Sequence, residues 1–129
     1  MKNFLMTGFL VLTSAFAYAD AGNITCNTAE PVTLEFEEMS DISNETLRLN
    51  LNNKDMKIQD VKVSDTQYGI LAIEITAGPE RTSSRYKFDN LGSSDCFGVY
   101  GSNQQGPAKI EILSSEGKLE EAECTCSVD

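Results

Sequence analysis

Apolar side chains recur at every second position through most of this chain, a period that fits extended backbone with one buried and one wet face. Val32, Leu34 and Phe36 alternate with Thr33, Glu35 and Glu37; Leu47, Leu49 and Leu51 alternate with Arg48 and Asn50. Tyr86 and Phe88 alternate with Arg85 and Lys87, and Ala108, Ile110 and Ile112 with Lys109 and Glu111. In the last such segment Ala122, Cys124, Cys126 and Val128 share one face, opposite Glu121, Glu123, Thr125 and Ser127. Asn52-Asn53-Lys54-Asp55 and Ser114-Ser115-Glu116-Gly117 are turn signals between strands.

Two irregularities stand out. Met56 and Ile58 begin in one phase and Val61 and Val63 resume in the other, which predicts a β-bulge near Gln59-Asp60. Leu119 is out of phase with the strand that follows it, which predicts a second bulge near Glu120. Residues 68–76 are almost continuously apolar and β-branched, the pattern of a strand buried on both faces. Asn90–Asp95 is expected to be a loop, Cys96–Tyr100 a short strand and Gly101–Pro107 a polar loop. The predicted fold is all-β: a single small antiparallel β-barrel or β-sandwich of seven or eight short strands, stapled by two disulfides. Phe36, Tyr86, Phe88 and Phe97 fit its core.

The disulfides are inferred from compartment. Met1-Lys2 is a short basic start, Phe4 to Ala17 is an apolar run, and Ala17-Tyr18-Ala19 is a small-x-small cleavage pattern. Residues 1–19 are therefore expected to be a cleaved signal peptide and residues 20–129 a single β domain, periplasmic or extracellular. The run holds Thr7, Gly8, Thr13 and Ser14 and is shorter than the ~20 residues of a membrane span. Its brevity and single lysine are bacterial in style. All four cysteines, Cys26, Cys96, Cys124 and Cys126, lie beyond it. An even count in a short exported chain argues for disulfides. Bonding Cys124 to Cys126 would strain a tiny ring, so Cys26 is expected to bond one of them and Cys96 the other. Either arrangement ties the first strand to the last.

The formal net charge is −10, with ten basic and twenty acidic residues among 129. Removing residues 1–19 takes away Lys2 and no acid, leaving −11. Such a chain lacks the clustered cations that nucleic acid and anionic membranes require, and it suits a cationic partner. Histidine is absent, which removes Ser-His-Asp and Cys-His catalysis. There is one C-x-C, no C-x-x-C and no phosphate-cradling glycine motif, so no metal, redox centre or cofactor is expected. Tryptophan is also absent, leaving Tyr68, Tyr86 and Tyr100 as sugar-stacking candidates.

Four constellations remain. Glu35, Glu37, Glu38 and Asp41, followed by Ser43 and Glu45, form an acidic cluster. A solvated strand face accounts for it, with a calcium-type loop at Asp41–Thr46 or a carboxylate pair as the chemical alternatives. Glu116, Glu120, Glu121 and Glu123 crowd the last hairpin, where charge discourages edge pairing. Arg81, Arg85 and Lys87 are positive in a negative chain; Arg81 and Arg85 are candidate grips for an acidic group, although neighbouring carboxylates commonly answer such residues. The loop containing Ser102, Asn103, Gln104 and Gln105 is the candidate binding loop. Asn23-Ile24-Thr25 and Asn44-Glu45-Thr46 match the glycan acceptor pattern, which matters only in a glycosylating host.

In layout the chain resembles small periplasmic β-barrel inhibitors of lysozyme: exported, acidic, with one cysteine on the first strand and another near the end. Of the Ser-Gly-x-x-Tyr-type loop in those families, Ser83-Ser84-Arg85-Tyr86 matches the serine and the tyrosine. The expected function is an exported, non-catalytic binding or structural module of the cell envelope, acting on a protein or envelope polymer, in the inhibitor-like case a cationic protein. The rivals are a carboxylate-dependent glycan hydrolase and a strand-exchanging assembly subunit.

Overall fold

The structure, a computed structural model, describes residues 21–66, 69–91 and 105–128. Its strands are β1 (Gly22–Cys26), β2 (Val32–Phe36), β3 (Arg48–Leu51), β4 (Lys54–Asp55), β5 (Ile58–Thr66), β6 (Gly69–Ala77), β7 (Ser84–Asp89), β8 (Gln105–Leu113) and β9 (Leu119–Val128). They form one antiparallel sheet in the order β4-β3-β2-β1-β9-β8-β7-β6-β5. The first and last described strands therefore lie side by side in the middle, and the sheet's two edges, β4 and β5, are consecutive in sequence.

That adjacency makes the sheet curl. Only Met56 and Lys57 separate the two edge strands. The Met56 N–H donates to the Leu49 carbonyl on β3 at 2.8 Å, while the Lys57 carbonyl accepts from the Gly78 N–H beyond β6 at 2.8 Å. Successive residues are thus held by opposite edges. Two residues further on, Asn44 Nδ2 reaches across to the Gln59 carbonyl at 3.1 Å. The result is a half-barrel with a seam along β5, one sheet and not the two packed sheets of a sandwich. Nine strands are present among the described residues where seven or eight were predicted; one of the additions is the two-residue β4, split from β5 at this handover. The predicted strand Cys96–Tyr100 lies outside the described residues.

Register explains the core. Val63, Ile73, Phe88, Ile110 and Ala122 stand opposite one another in a row across β5 to β9. Ile73, Phe88 and Ile110 are fully buried, and Val63 and Ala122 are half-buried at the row's two ends. On the other side Leu49, Leu34, Ile24 and Cys126 make a second row across β3, β2, β1 and β9, every member buried. Phe36, Tyr86 and Phe88 are buried as the alternation predicted; Phe97 lies outside the described residues. Burial of a side chain such as Phe88 contributes roughly 1.5–3 kcal/mol.

The β3–β4 hairpin turns on Asn52 and Asn53, both with positive φ, 54° and 66°. That is the two-residue turn whose twist matches the flanking strands, and asparagine tolerates it better than most residues. The β8–β9 hairpin turns at Ser114–Gly117, with the Ser114 N–H donating to the Lys118 carbonyl at 2.9 Å.

Among the described residues one disulfide is present, Cys26–Cys124, closing a sequence separation of 98 with Cα atoms 4.0 Å apart. The Asn27 N–H donates to the Glu123 carbonyl at 3.1 Å, so residues 27 and 123 are a hydrogen-bonded pair. That leaves 26 and 124 as the neighbouring non-hydrogen-bonded pair, where side chains on adjacent strands approach most closely. Cys126 is also disulfide-bonded, while Cys96 lies outside the described residues. Of the two predicted disulfides, one is thus seen whole, and it does join the first strand to the last.

Three local expectations meet the structure differently. The bulge near Gln59-Asp60 is present, as a register shift between Ile58 and Asp60. The one near Glu120 is not: β8 and β9 pair without a shift from Leu113↔Leu119 to Gln105↔Ser127, and Leu119 simply points outward, 56% exposed. β6 is not buried evenly on both faces. A second shift, between Ser64 and Asp65, leaves Leu71 as the extra residue, 42% exposed. Ile70 is buried before it and Ile73, Ile75 and Ala77 after it, with Ala72 buried beside the bulge and Glu74 and Thr76 half-buried between the later inward residues. The unbroken apolar run is two phases joined at a bulge.

Candidate functional site: an acidic cleft at the end of the half-barrel

β1 and β2 pair so that Gly22 stands opposite Phe36 and Asn23 opposite Glu35, and β2 and β3 pair so that Glu35 stands opposite Arg48. β2 ends there, and the chain loops through residues 37–47 before β3 begins. Met39 and Ile42 pack against the core and Leu47 is buried. The loop's apolar side chains hold it down, so its acids face out. A tight turn closes it: the Ser43 N–H donates to Thr46 Oγ1 at 2.8 Å, and the Thr46 and Leu47 N–H groups donate to the Ser43 carbonyl at 3.2 and 3.1 Å.

Between this loop and the start of β1 lies an open cleft of about 510 Å³. Ala21, Gly22 and Asn23 form one wall, and Glu35, Phe36, Glu37, Glu38, Asp41, Glu45, Thr46 and Arg48 form the rest. Five carboxylates face one guanidinium, which is already engaged: Arg48 Nη2 lies 3.3 Å from Glu35 Oε1. The lining carries four net negative charges in a chain that is negative overall. Such an arrangement draws in and holds ammonium or guanidinium groups.

In the Asp41–Thr46 segment the oxygens of Ser43, Glu45 and Thr46 are engaged in the turn itself. Ser43 Oγ donates to Glu45 Oε1 at 3.2 Å, Thr46 Oγ1 accepts from Ser43, and Asn44 spans the seam to Gln59. Among the described residues no group of three or more acidic or cysteine side chains is placed to hold a metal ion. Glycan hydrolysis sets one carboxyl in an apolar pocket as the acid; Glu37, Glu38, Asp41 and Glu45 stand exposed.

The other sequence candidates are not gathered here. Arg81 sits in the exposed turn between β6 and β7. Arg85 lies on the outer face of β7, 3.6 Å from Glu74, and Lys87 is 3.9 Å from Asp89. These cations answer neighbouring carboxylates, as ordinary sheet chemistry would have them do. Ser102, Asn103 and Gln104 lie outside the described residues; Gln105 opens β8 opposite Ser127. Tyr86 faces the core and is 4% exposed, so it offers no sugar platform, and Tyr68 and Tyr100 lie outside the described residues. The Ser84–Tyr86 part of the inhibitor-like match is strand and not loop. Among the glutamates of the last hairpin, Glu120 fastens the β1–β2 loop, its Oε2 accepting the Ala29 N–H at 3.0 Å.

The acids were legible in sequence, but the cleft was not. It exists because the β1–β2 register brings residues 21–23 beside Glu35–Glu37, a pairing no local pattern announces. Comparison of the chain with protein-family models, with curated proteins and with solved structures found no match, so the functional reading rests on this geometry alone.

Proposed function

We propose that this protein is an exported, non-catalytic binding module of the cell envelope whose acidic cleft receives a lysine- or arginine-rich part of a protein partner. The observation that carries the reading is the lining of the cleft, with five carboxylates against one already paired guanidinium. Under this reading residues 1–19 are removed on export to the periplasm or the outside medium, and Cys96 bonds Cys126 to give a second staple. No cofactor is invoked. Partner binding of this kind is fast and salt-sensitive, because long-range attraction steers the encounter.

The test uses the oxidised protein lacking residues 1–19 and a lysine-rich peptide. The amide resonances of Asn23, Glu37, Glu38 and Glu45 are expected to shift on titration, and the shifts to shrink as salt is raised. Glu37→Gln, Glu38→Gln and Asp41→Asn combined should weaken binding about tenfold or more, in line with the loss of charge-assisted contacts. Equal affinity in the triple variant, or shifts confined to other strands, would overturn the reading. Affinity capture from the native envelope then identifies the physiological partner.

A further inference from the structure

We propose that the open edge of β5 pairs with β5 of a second copy, antiparallel about Val61, to form a two-fold dimer. β5 ends the sheet, and among the described residues no strand lies on its outer side from Asp60 to Asp65. Val61 and Val63 point toward the core yet are only half-buried, as expected of inward residues on a strand with no described neighbour on its outer side.

Backbone direction alternates along each strand, so one hydrogen bond orients the entire sheet. The Asn27 N–H to Glu123 carbonyl bond turns Glu123 toward β1, and Ala122 and Cys124 toward β8. Following the registers outward, Lys109, Glu111 and Leu113 face β7, Tyr86 and Phe88 face β6, and Glu74 and Thr76 face β5. On β5 itself Asp60, Lys62 and Ser64 then face β6, and Val61 and Val63 turn their N–H and C=O groups away from it, to the side where no described strand lies. The Gln59 carbonyl also points outward, where Asn44 takes it.

Charge selects the register. On the outer face Glu111, Lys87, Glu74 and Lys62 stand opposite one another in turn, alternating in sign across four strands. Pairing about Val61 places Asp60 of the second copy opposite Lys62, twice over by symmetry, and extends this ladder by one more alternation. Pairing about Asp60 would oppose two aspartates, pairing about Lys62 two lysines, and pairing about Val63 no unlike charges. The charges that blunt other edge pairings therefore permit this one. In the favoured register Val63 of the second copy competes with Asn44 for the Gln59 carbonyl. The ladder is short, so the dimer forms at high protein concentration.

Sedimentation equilibrium of the oxidised protein is expected to show concentration-dependent dimers. Val61→Pro removes an outward N–H and leaves the β6 ladder intact, and it should abolish them. Lys62→Glu should raise the dimer dissociation constant about tenfold by opposing like charges, and adding Asp60→Lys to it should restore pairing by reversing the ladder. Asn44→Ala, which frees the Gln59 carbonyl, should tighten the dimer. A wild-type protein that stays monomeric to the solubility limit, or a dimer indifferent to Val61→Pro and Lys62→Glu, would overturn the proposal. Circular dichroism of each variant shows that the fold is retained.

Discussion

The two halves of the sheet are built on different terms. β5, β6 and β8 run nine residues each and β9 runs ten, whereas β1 and β2 have five residues and β3 four. The outer row Lys62, Glu74, Lys87, Glu111 and Glu121 on the long half is charged at every position. The row Asn50, Thr33 and Thr25 on the short half, continued by Thr125 and Pro107 on β9 and β8, carries no charge. The covalent staple joins β1 to β9, at the border of the short half. Long ladders, with charges alternating in sign from β5 to β8, hold one half, and cross-linking compensates for short ladders in the other.

Breaking the staple should have the largest effect. Cys26→Ser with Cys124→Ser releases a loop closed over a separation of 98 residues, at a cost of roughly 4–5 kcal/mol in the chain-entropy account. Hydrogen exchange is expected to rise first in β1–β3 and last in β6–β8; uniform acceleration would show that the halves are one cooperative unit.

Alkali tests the coupling between the halves. Burial pushes the Tyr86 phenol above its ordinary 10.0; a hydrogen bond with Ser84 offsets part of this, and Glu30, on the β1–β2 loop, pushes it further up. A raised folded-state pKa means that the neutral phenol's contribution is complete below pH 10 and is lost as pH rises through the folded value. Tyr86→Phe should flatten this alkaline fall and remove one late-titrating tyrosine from the ultraviolet titration; if the late component persists, Tyr86 is not its source.

The charged row can be probed by a matched pair. Glu74 stands opposite Lys62 and Lys87 and lies 3.6 Å from Arg85, so Glu74→Lys should cost about 0.5–1 kcal/mol and recover with salt. Thr25→Lys, between Thr33 and Thr125, should stay within about 0.5 kcal/mol of wild type and respond little to salt. Equal losses would mean that the alternation has no energetic role. The smallest effect is expected at the β3–β4 turn, where Asn53→Gly relieves a φ of 66° and should gain a few tenths of a kcal/mol, read as a rise in denaturation midpoint.

Much of this architecture was legible in the period-two pattern. The strands at Val32–Phe36, Leu47–Leu51 and Arg85–Phe88 and the bulge at Gln59 each left a local trace, because side-chain alternation is a property of a few consecutive residues. What was misread involved a neighbour. The run through Ile70–Ile75 resembled two-sided burial because a bulge at Leu71 splices two phases, and only the partner strand reveals it. Leu119 looked displaced because Glu120 occupies an inward position at the sheet's end, where it fastens Ala29. The acidic cluster announced its charge but not its concavity, since its far wall is contributed by Ala21–Asn23. Arg85 is answered by a carboxylate one strand away, as its place on a sheet suggests, but that the partner is Glu74 follows only from the β6–β7 register.

The pairing of β1 with β9 sets the order of events in folding. β1 waits beside an empty place until β9 has been made, and the contacts that join the two strands span a sequence separation of 98 at the disulfide. A copy made only as far as β8 can form the β5–β8 meander but lacks the strand that joins it to β1, so the core closes only when β9 is in place.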